Sequence, residues 1–134
     1  MSRACRLRPV SLLVAAMLVA VLIPPGTAEA ATSIKNGETQ WWYTDVTSRG
    51  VLEVTLSWTP TSSDLDLYIY NSVNNSPSEW VALATTYTDN PEVARYLVLE
   101  PGRYFIAVHA YQGDASYDLS ATLTYLTSSG ASIS

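Results

Sequence analysis

The chain predicts an all-β fold, an antiparallel β-sandwich of jelly-roll type with seven to eight strands. Three observations carry this. The stretch Ser63-Asp64-Leu65-Asp66-Leu67-Tyr68-Ile69-Tyr70 alternates residue by residue, with Leu65, Leu67 and Ile69 on one side and Asp64, Asp66, Tyr68 and Tyr70 on the other. Such a period of two belongs to a strand with one face in a core and one toward water. Turn signals recur about every eight to twelve residues, the spacing of a sandwich. Beyond residue 30 no window carries a helical period. A small closed barrel is the alternative architecture.

Residues 1–30 are expected to stand outside this fold. Arg3, Arg6 and Arg8 form a basic head, Val10 to Ile23 is an apolar run of about fourteen residues, Pro24-Pro25-Gly26 breaks any helix, and Ala28-Glu29-Ala30 supplies a small-residue cleavage site. The run is shorter than the roughly twenty residues a spanning helix needs, so the order describes a secretory signal peptide cut after Ala30. Residues 31–134 then form a single secreted, extracellular domain. Cleavage removes three of the 7 basic and one of the 12 acidic residues, and the four and eleven that remain leave a formal charge of −7. An acidic surface of that kind repels nucleic acid and anionic membrane. Cys5, the one cysteine, leaves with the leader, so the domain is disulfide-free although its compartment permits disulfides.

The strands follow in order. Lys35-Asn36-Gly37-Glu38 reads as a turn, and Thr39 to Thr47, dense in aromatic and β-branched residues, as a strand. After Ser48-Arg49-Gly50, Leu52, Val54, Leu56 and Trp58 alternate with Glu53, Thr55 and Ser57. Pro60 stops that strand, and the 63–70 stretch follows. Asn71 to Glu79 is a loop by composition. Trp80 to Thr86 is a strand, Thr88 to Pro91 a turn, and Glu92 to Leu99 a strand in which both parities mix charged and apolar residues. Glu100-Pro101-Gly102 is a tight turn. Arg103 to Tyr111 places Tyr104, Ile106 and Val108 on one face, Gln112-Gly113-Asp114 turns the chain, and Tyr117 to Tyr125 alternates again. Residues 128–134 form a small, polar, frayed tail.

These segments resemble a known family. Asn36-Gly37-Glu38-Thr39 with Trp42, Thr44 and Val46 is similar to the opening strand of bacterial pre-peptidase C-terminal domains. Asp64-Leu65-Asp66-Leu67-Tyr68 resembles their most recognisable motif. Pro101 to Val108 resembles their penultimate strand and Tyr117-Asp118-Leu119 their last. The resemblance implies a jelly-roll-like sandwich of the kind appended to secreted hydrolases and without catalytic activity. It also implies kinship with collagenase modules that bind collagen through exposed tyrosines and calcium through carboxylates. No peptidase precedes the domain, which reads as a free-standing copy. Its lead segment, Ala31 to Lys35, lacks the acids of that calcium site.

Catalysis finds little to work with. His109 is the one histidine, and no Gly-x-Ser-x-Gly elbow holds a nucleophile. Asp64 and Asp66, two apart on a strand, have Cβ atoms about 7 Å apart, within the range of glycosidase carboxylates. No other groups are positioned around them, and they read as structural, with calcium left open and no cofactor assigned. The aromatic surplus is more informative: 9 Tyr and 4 Trp against 1 Phe, so nearly every ring has a polar handle. By parity Trp42, Trp58, Tyr104, Tyr117 and Tyr125 point inward, and Trp41, Tyr43, Tyr68, Tyr70, Phe105 and Tyr111 outward. The outward six are the candidate binding residues. The expected function is non-catalytic binding of an extracellular protein or polysaccharide by a monomer. The alternatives are a calcium-stabilised or chaperone-like accessory to a separate secreted hydrolase and, further off, a small hydrolase.

Overall fold

The computed structural model describes residues 2–10, 31–71 and 79–126. Ten strands are present among them and no helix: β1 (Ser2–Cys5), β2 (Arg8–Pro9), β3 (Thr32–Ile34), β4 (Thr39–Val46), β5 (Gly50–Thr59), β6 (Asp64–Asn71), β7 (Trp80–Ala84), β8 (Glu92–Val98), β9 (Gly102–Gln112) and β10 (Ala115–Tyr125). They form two antiparallel sheets. One runs β1-β10-β5-β8 with β3 on the free side of β10, and the other runs β2-β4-β9-β6-β7. The seven strands expected from the sequence are β4 to β10. Nearly all of the apolar run at 10–23, the expected cleavage site, most of the Asn71–Glu79 loop and the C-terminal tail lie outside the described residues.

The core is the sum of the period-two faces. Leu52, Val54, Leu56 and Trp58 of β5 meet Leu65, Leu67 and Ile69 of β6 and Tyr104, Ile106 and Val108 of β9, all buried. Each of these strands turns every second side chain into the core because a pleated backbone sends successive Cβ atoms to opposite faces. The two parities of β8 could not be separated by composition, and the pairing decides between them. Leu56 is opposite Glu92 and Val54 opposite Ala94, so Glu92, Ala94 and Val98 face inward and Arg95 and Leu97 outward.

Turn chemistry explains the motif at residues 36–39. Gly37 has a φ of 81°, a conformation open to glycine at little cost. The Glu38 N–H closes the turn on the Lys35 carbonyl at 2.9 Å, and the Glu38 carboxylate accepts the Lys35 N–H. Across the fold the Asn36 side-chain oxygen accepts the Gly113 N–H, and Asp114 accepts the Asn36 N–H. Two turns far apart in sequence are laced together.

Two further polar groups hold the fold, one within a sheet and one between the two. The ladder between β5 and β8 ends at Pro91, which has no N–H, and the Asn90 side chain substitutes for backbone, accepting from Trp58 N and donating to Trp58 O. Tyr117, 1% exposed, donates its hydroxyl to Gln40 at 2.6 Å and accepts from the Trp42 indole at 2.9 Å. Burial pushes its phenol up to about 12. Tyr117→Phe keeps the ring and removes both hydrogen bonds. It is expected to cost about 1–2 kcal/mol, the usual penalty for stranding such partners, as read by urea unfolding. A loss under about 0.5 kcal/mol would show that water replaces the hydroxyl.

Residues 2–10, expected to stand apart from the fold, pair with it in the structure of the full chain: β1 lies on β10 and β2 on β4.

Candidate functional site

The strand order decides whether the outward rings form one surface. β4, β9 and β6 are neighbours, and their registers put Trp41 opposite Ala107 and Ala107 opposite Tyr68, then Tyr43 opposite Phe105 and Phe105 opposite Tyr70. Five of the six candidates therefore occupy two adjacent rows of one outer face. Directly opposed side chains on a sheet stand about 4.5–5.5 Å apart at Cβ, and diagonal ones remain within reach of large rings. Trp41 and Tyr70 reach further, meeting across the intervening β9 with centroids 5.2 Å apart. Tyr68 and Tyr70 stand at 6.5 Å, Tyr43 and Phe105 at 6.4 Å. Ala107, in the middle, is only 2% exposed. Its small side chain leaves the room that Trp41 and Tyr70 use to lean together.

Polar groups frame the rings. Arg103 makes a two-pronged pair with Asp45, 2.8 and 3.3 Å, and lays its guanidinium 4.1 Å from the Tyr43 centroid. The hydrogen bond from Arg103 holds the Asp45 carboxyl below the usual carboxylate range. The opposite border is the row Thr39, His109, Asp66, in which Thr39 Oγ1 and His109 Nδ1 are 2.8 Å apart. A hydroxyl, an imidazole and a carboxylate thus stand side by side. Thr39, however, is an ordinary exposed residue of a flat strand, not a nucleophile held on a sharp turn beside oxyanion donors.

Sequence reasoning misses Trp80. The register shifts between Ile69 and Tyr70, bringing Trp80 opposite Tyr70 while Val81 packs against the core. Trp80 is half exposed and extends the aromatic row by one strand. A bulge reverses parity downstream of itself, so alternation alone cannot find it.

Tyr111 does not join the face. A second shift, between Asp64 and Leu65, pairs Asp64 with Gln112 and Leu65 with Ala110. Tyr111 is the extra residue of that bulge, is exposed, and meets Tyr87 edge-on at 5.8 Å.

One expectation is overturned. Asp64 and Asp66 do not face water: they are 8% and 7% exposed. The bulge lies beside Asp64, and Tyr87 stands near enough to feel the charges of both. Burial first, then the Asp64 charge, pushes the Asp66 carboxyl up, and Tyr68 donates a long 3.4 Å bond to it. Asp64 Oδ1 is buried without a partner. The loop after Pro60 is closed by Ser63 N–H on the Pro60 carbonyl and by the Trp58 indole on the Ser63 carbonyl. Glu92, across the sandwich edge, feels both aspartates. Among the described residues no three His, Cys, Asp or Glu side chains are arranged to hold a metal ion.

Comparisons with known proteins agree with this architecture. Among curated proteins none matches the chain. The crystal structure of the pre-peptidase C-terminal domain of a collagenase from Bacillus anthracis superposes with a TM-score of 0.52 at 20% identity, over 68% of this chain and 88% of that one. The family described as the bacterial pre-peptidase C-terminal domain matches residues 38–110. That span is more than half of the sequence and runs from the Glu38 turn to the end of the aromatic face on β9, so this chain belongs to the bacterial pre-peptidase C-terminal domain family.

Proposed function

We propose that the chain is a secreted, non-catalytic accessory module that holds an extracellular protein or polysaccharide on the outer face of β4, β9 and β6. The contrast between its two outer faces carries the reading. On the first sheet the outward residues of the three long strands are Ser116, Asp118, Ser120, Thr122 and Thr124 of β10, Val51, Glu53, Thr55 and Ser57 of β5, and Arg95 and Leu97 of β8, mostly polar and without an aromatic ring. On the second they are Trp41, Tyr43, Tyr68, Tyr70 and Phe105. Both faces meet the same solvent, so solubility does not account for the difference. Rigid rings with polar tips gather large contact area at low entropic cost and dominate binding surfaces. The basic head, apolar run and small-residue site of residues 1–30 support export, as does membership of a family named for its place in bacterial peptidases.

The test is retention on insoluble fibrous collagen, cellulose, chitin and peptidoglycan. The wild-type protein is expected to be held by one of them. The double variant Trp41→Ala/Tyr70→Ala should weaken that hold by about tenfold or more, since central aromatic anchors contribute upward of 1–2 kcal/mol each, with the β-sheet circular dichroism unchanged. Undiminished retention of the double variant would move the binding surface elsewhere.

A further inference from the structure

The leader occupies a defined place in the full chain. Strand β10 pairs with β5 along its entire length, while its other side is divided between β3 at Ala115–Tyr117 and β1 at Ala121–Thr124. The leader then crosses to the second sheet: Arg8 lies opposite Tyr43, Pro9 opposite Trp42, and Val10 N–H donates to the Trp41 carbonyl at 2.9 Å. Nine residues thus bridge the edges of both sheets, with Cys5 and Leu7 packed against the core between them. A cleft of about 190 Å³ at this seam is lined on the domain side by Asp45, Thr47, Leu123 and Tyr125 and otherwise by the leader.

Removal of the leader exposes an unusual edge. Leu119 to Tyr125 contains no charge and no proline, whereas open edges are normally blunted by one or the other. Between Ala121 and Thr124 the backbone donors and acceptors that face away from β5 would be free, with the core-facing gap left by Cys5 and Leu7 beside them. The seam borders Asp45, whose carboxylate feels the Arg8 charge, and the processed chain has lost three arginines. Backbone polarity, an apolar gap and the Asp45 carboxylate, shared with Arg103 and still within reach of the Arg8 charge, together specify a strand that is extended, basic, and small or apolar where it faces inward.

We infer that in the processed protein the seam between β10 and β4 is a strand-accepting site, which takes an extended arginine-bearing segment of a partner protein by antiparallel addition to Ala121–Thr124. This rests on the secreted, processed form proposed above. The leader shows the mode of addition, in which ladder hydrogen bonds supply affinity and alternate side chains supply selectivity.

The test begins with protein collected from culture medium. A mass showing an intact leader would overturn the processed form and this inference with it, whereas a mass beginning at Ala31 upholds the former and leaves the latter to a titration. The probe is a peptide of the Ser2–Val10 sequence carrying C5S. It is expected to bind saturably and to slow amide exchange at Ala121–Thr124. Two further peptides carry backbone N-methyl groups on alternate residues of the Ser2–Cys5 segment alone, one set in each phase. Only one phase points N–H groups at β10, so one peptide should weaken by roughly tenfold or more, the equivalent of about one lost hydrogen bond, and the other should not. Equal binding of both would reduce the contact to charge attraction and overturn the proposal. A processed protein that dimerises through this edge and excludes the peptide would overturn it as well.

Discussion

Between pH 5 and pH 8 the wild-type domain is expected to lose about 2–3 kcal/mol of stability that Glu92→Gln retains, a figure set by the 1.36 kcal/mol carried by each unit of pKa shift. Glu92 is 1% exposed. Its Oε1 accepts from the Thr86 backbone N–H and hydroxyl, while Oε2 is buried without a partner. Burial, reinforced by the Asp66 and Asp64 charges and opposed by the Thr86 bonds, pushes the carboxyl up to about 7. The sign follows from where the proton goes. With a folded pKa above the unfolded one, the native state holds the extra proton, so stability is full below the unfolded pKa near 4.5 and falls as pH rises through 7. Glutamine keeps the acceptor toward Thr86 and puts an N–H₂ group where a charge would face two aspartates.

Other groups titrate as well: Asp66, raised by burial and Asp64, and Glu38, Asp45 and Asp114, each lowered by hydrogen bonds from neighbours. The difference between the wild-type and Glu92→Gln profiles cancels them to first order. Urea unfolding at pH 5, 6, 7 and 8 measures that difference, and parallel profiles would mean that the Glu92 carboxyl reaches water.

Glu92 also marks where the sequence stops being legible. Alternation identifies β5, β6, β9 and β10 and sorts their rings inward and outward, because a strand with one face in a core leaves a period of two in the chain. It says nothing about which strands are neighbours, since Tyr43 and Phe105 are paired by a ladder between segments some sixty residues apart. That is why the outward rings are readable one by one and their union into a face is not. Asp64 and Asp66 mislead for a related reason. A carboxylate on an outward parity is ordinarily solvated, yet both aspartates are buried at the end of β6 that faces the bulge at Tyr111. Glu92 misleads in the other direction, because carboxylates are rarely buried whole and only the opposition to Leu56 shows that it is. Both bulges also shift ring positions, bringing Trp80 onto the face and taking Tyr111 off it.

Ile106→Ala is expected to be the most damaging single truncation, costing about 3–4 kcal/mol within the 2–5 kcal/mol range of such core changes. Ile106 is fully buried in the central strand of its sheet, with Trp42 opposite it on one side and Ile69 on the other, so no mobile edge can collapse into the space. A domain of this size has roughly 5–15 kcal/mol to lose, and at about 4–8 °C per kcal/mol the melting temperature should fall by roughly 15–25 °C. The neighbouring Phe105 is the necessary comparison. It shares the backbone and the hydrogen-bonded ladder, but its ring lies outside, against Tyr43. Phe105→Ala is expected to cost no more than about 1 kcal/mol, the scale of a cross-strand pair. If the face is a binding surface, Phe105→Ala should weaken retention on whichever matrix holds the wild type while the fold survives. Ile106→Ala should melt the domain without altering the chemistry of the face. A Phe105→Ala loss as large as that of Ile106→Ala would make the outer rings a second core, a layer that stabilises the sheet and needs no ligand to account for it.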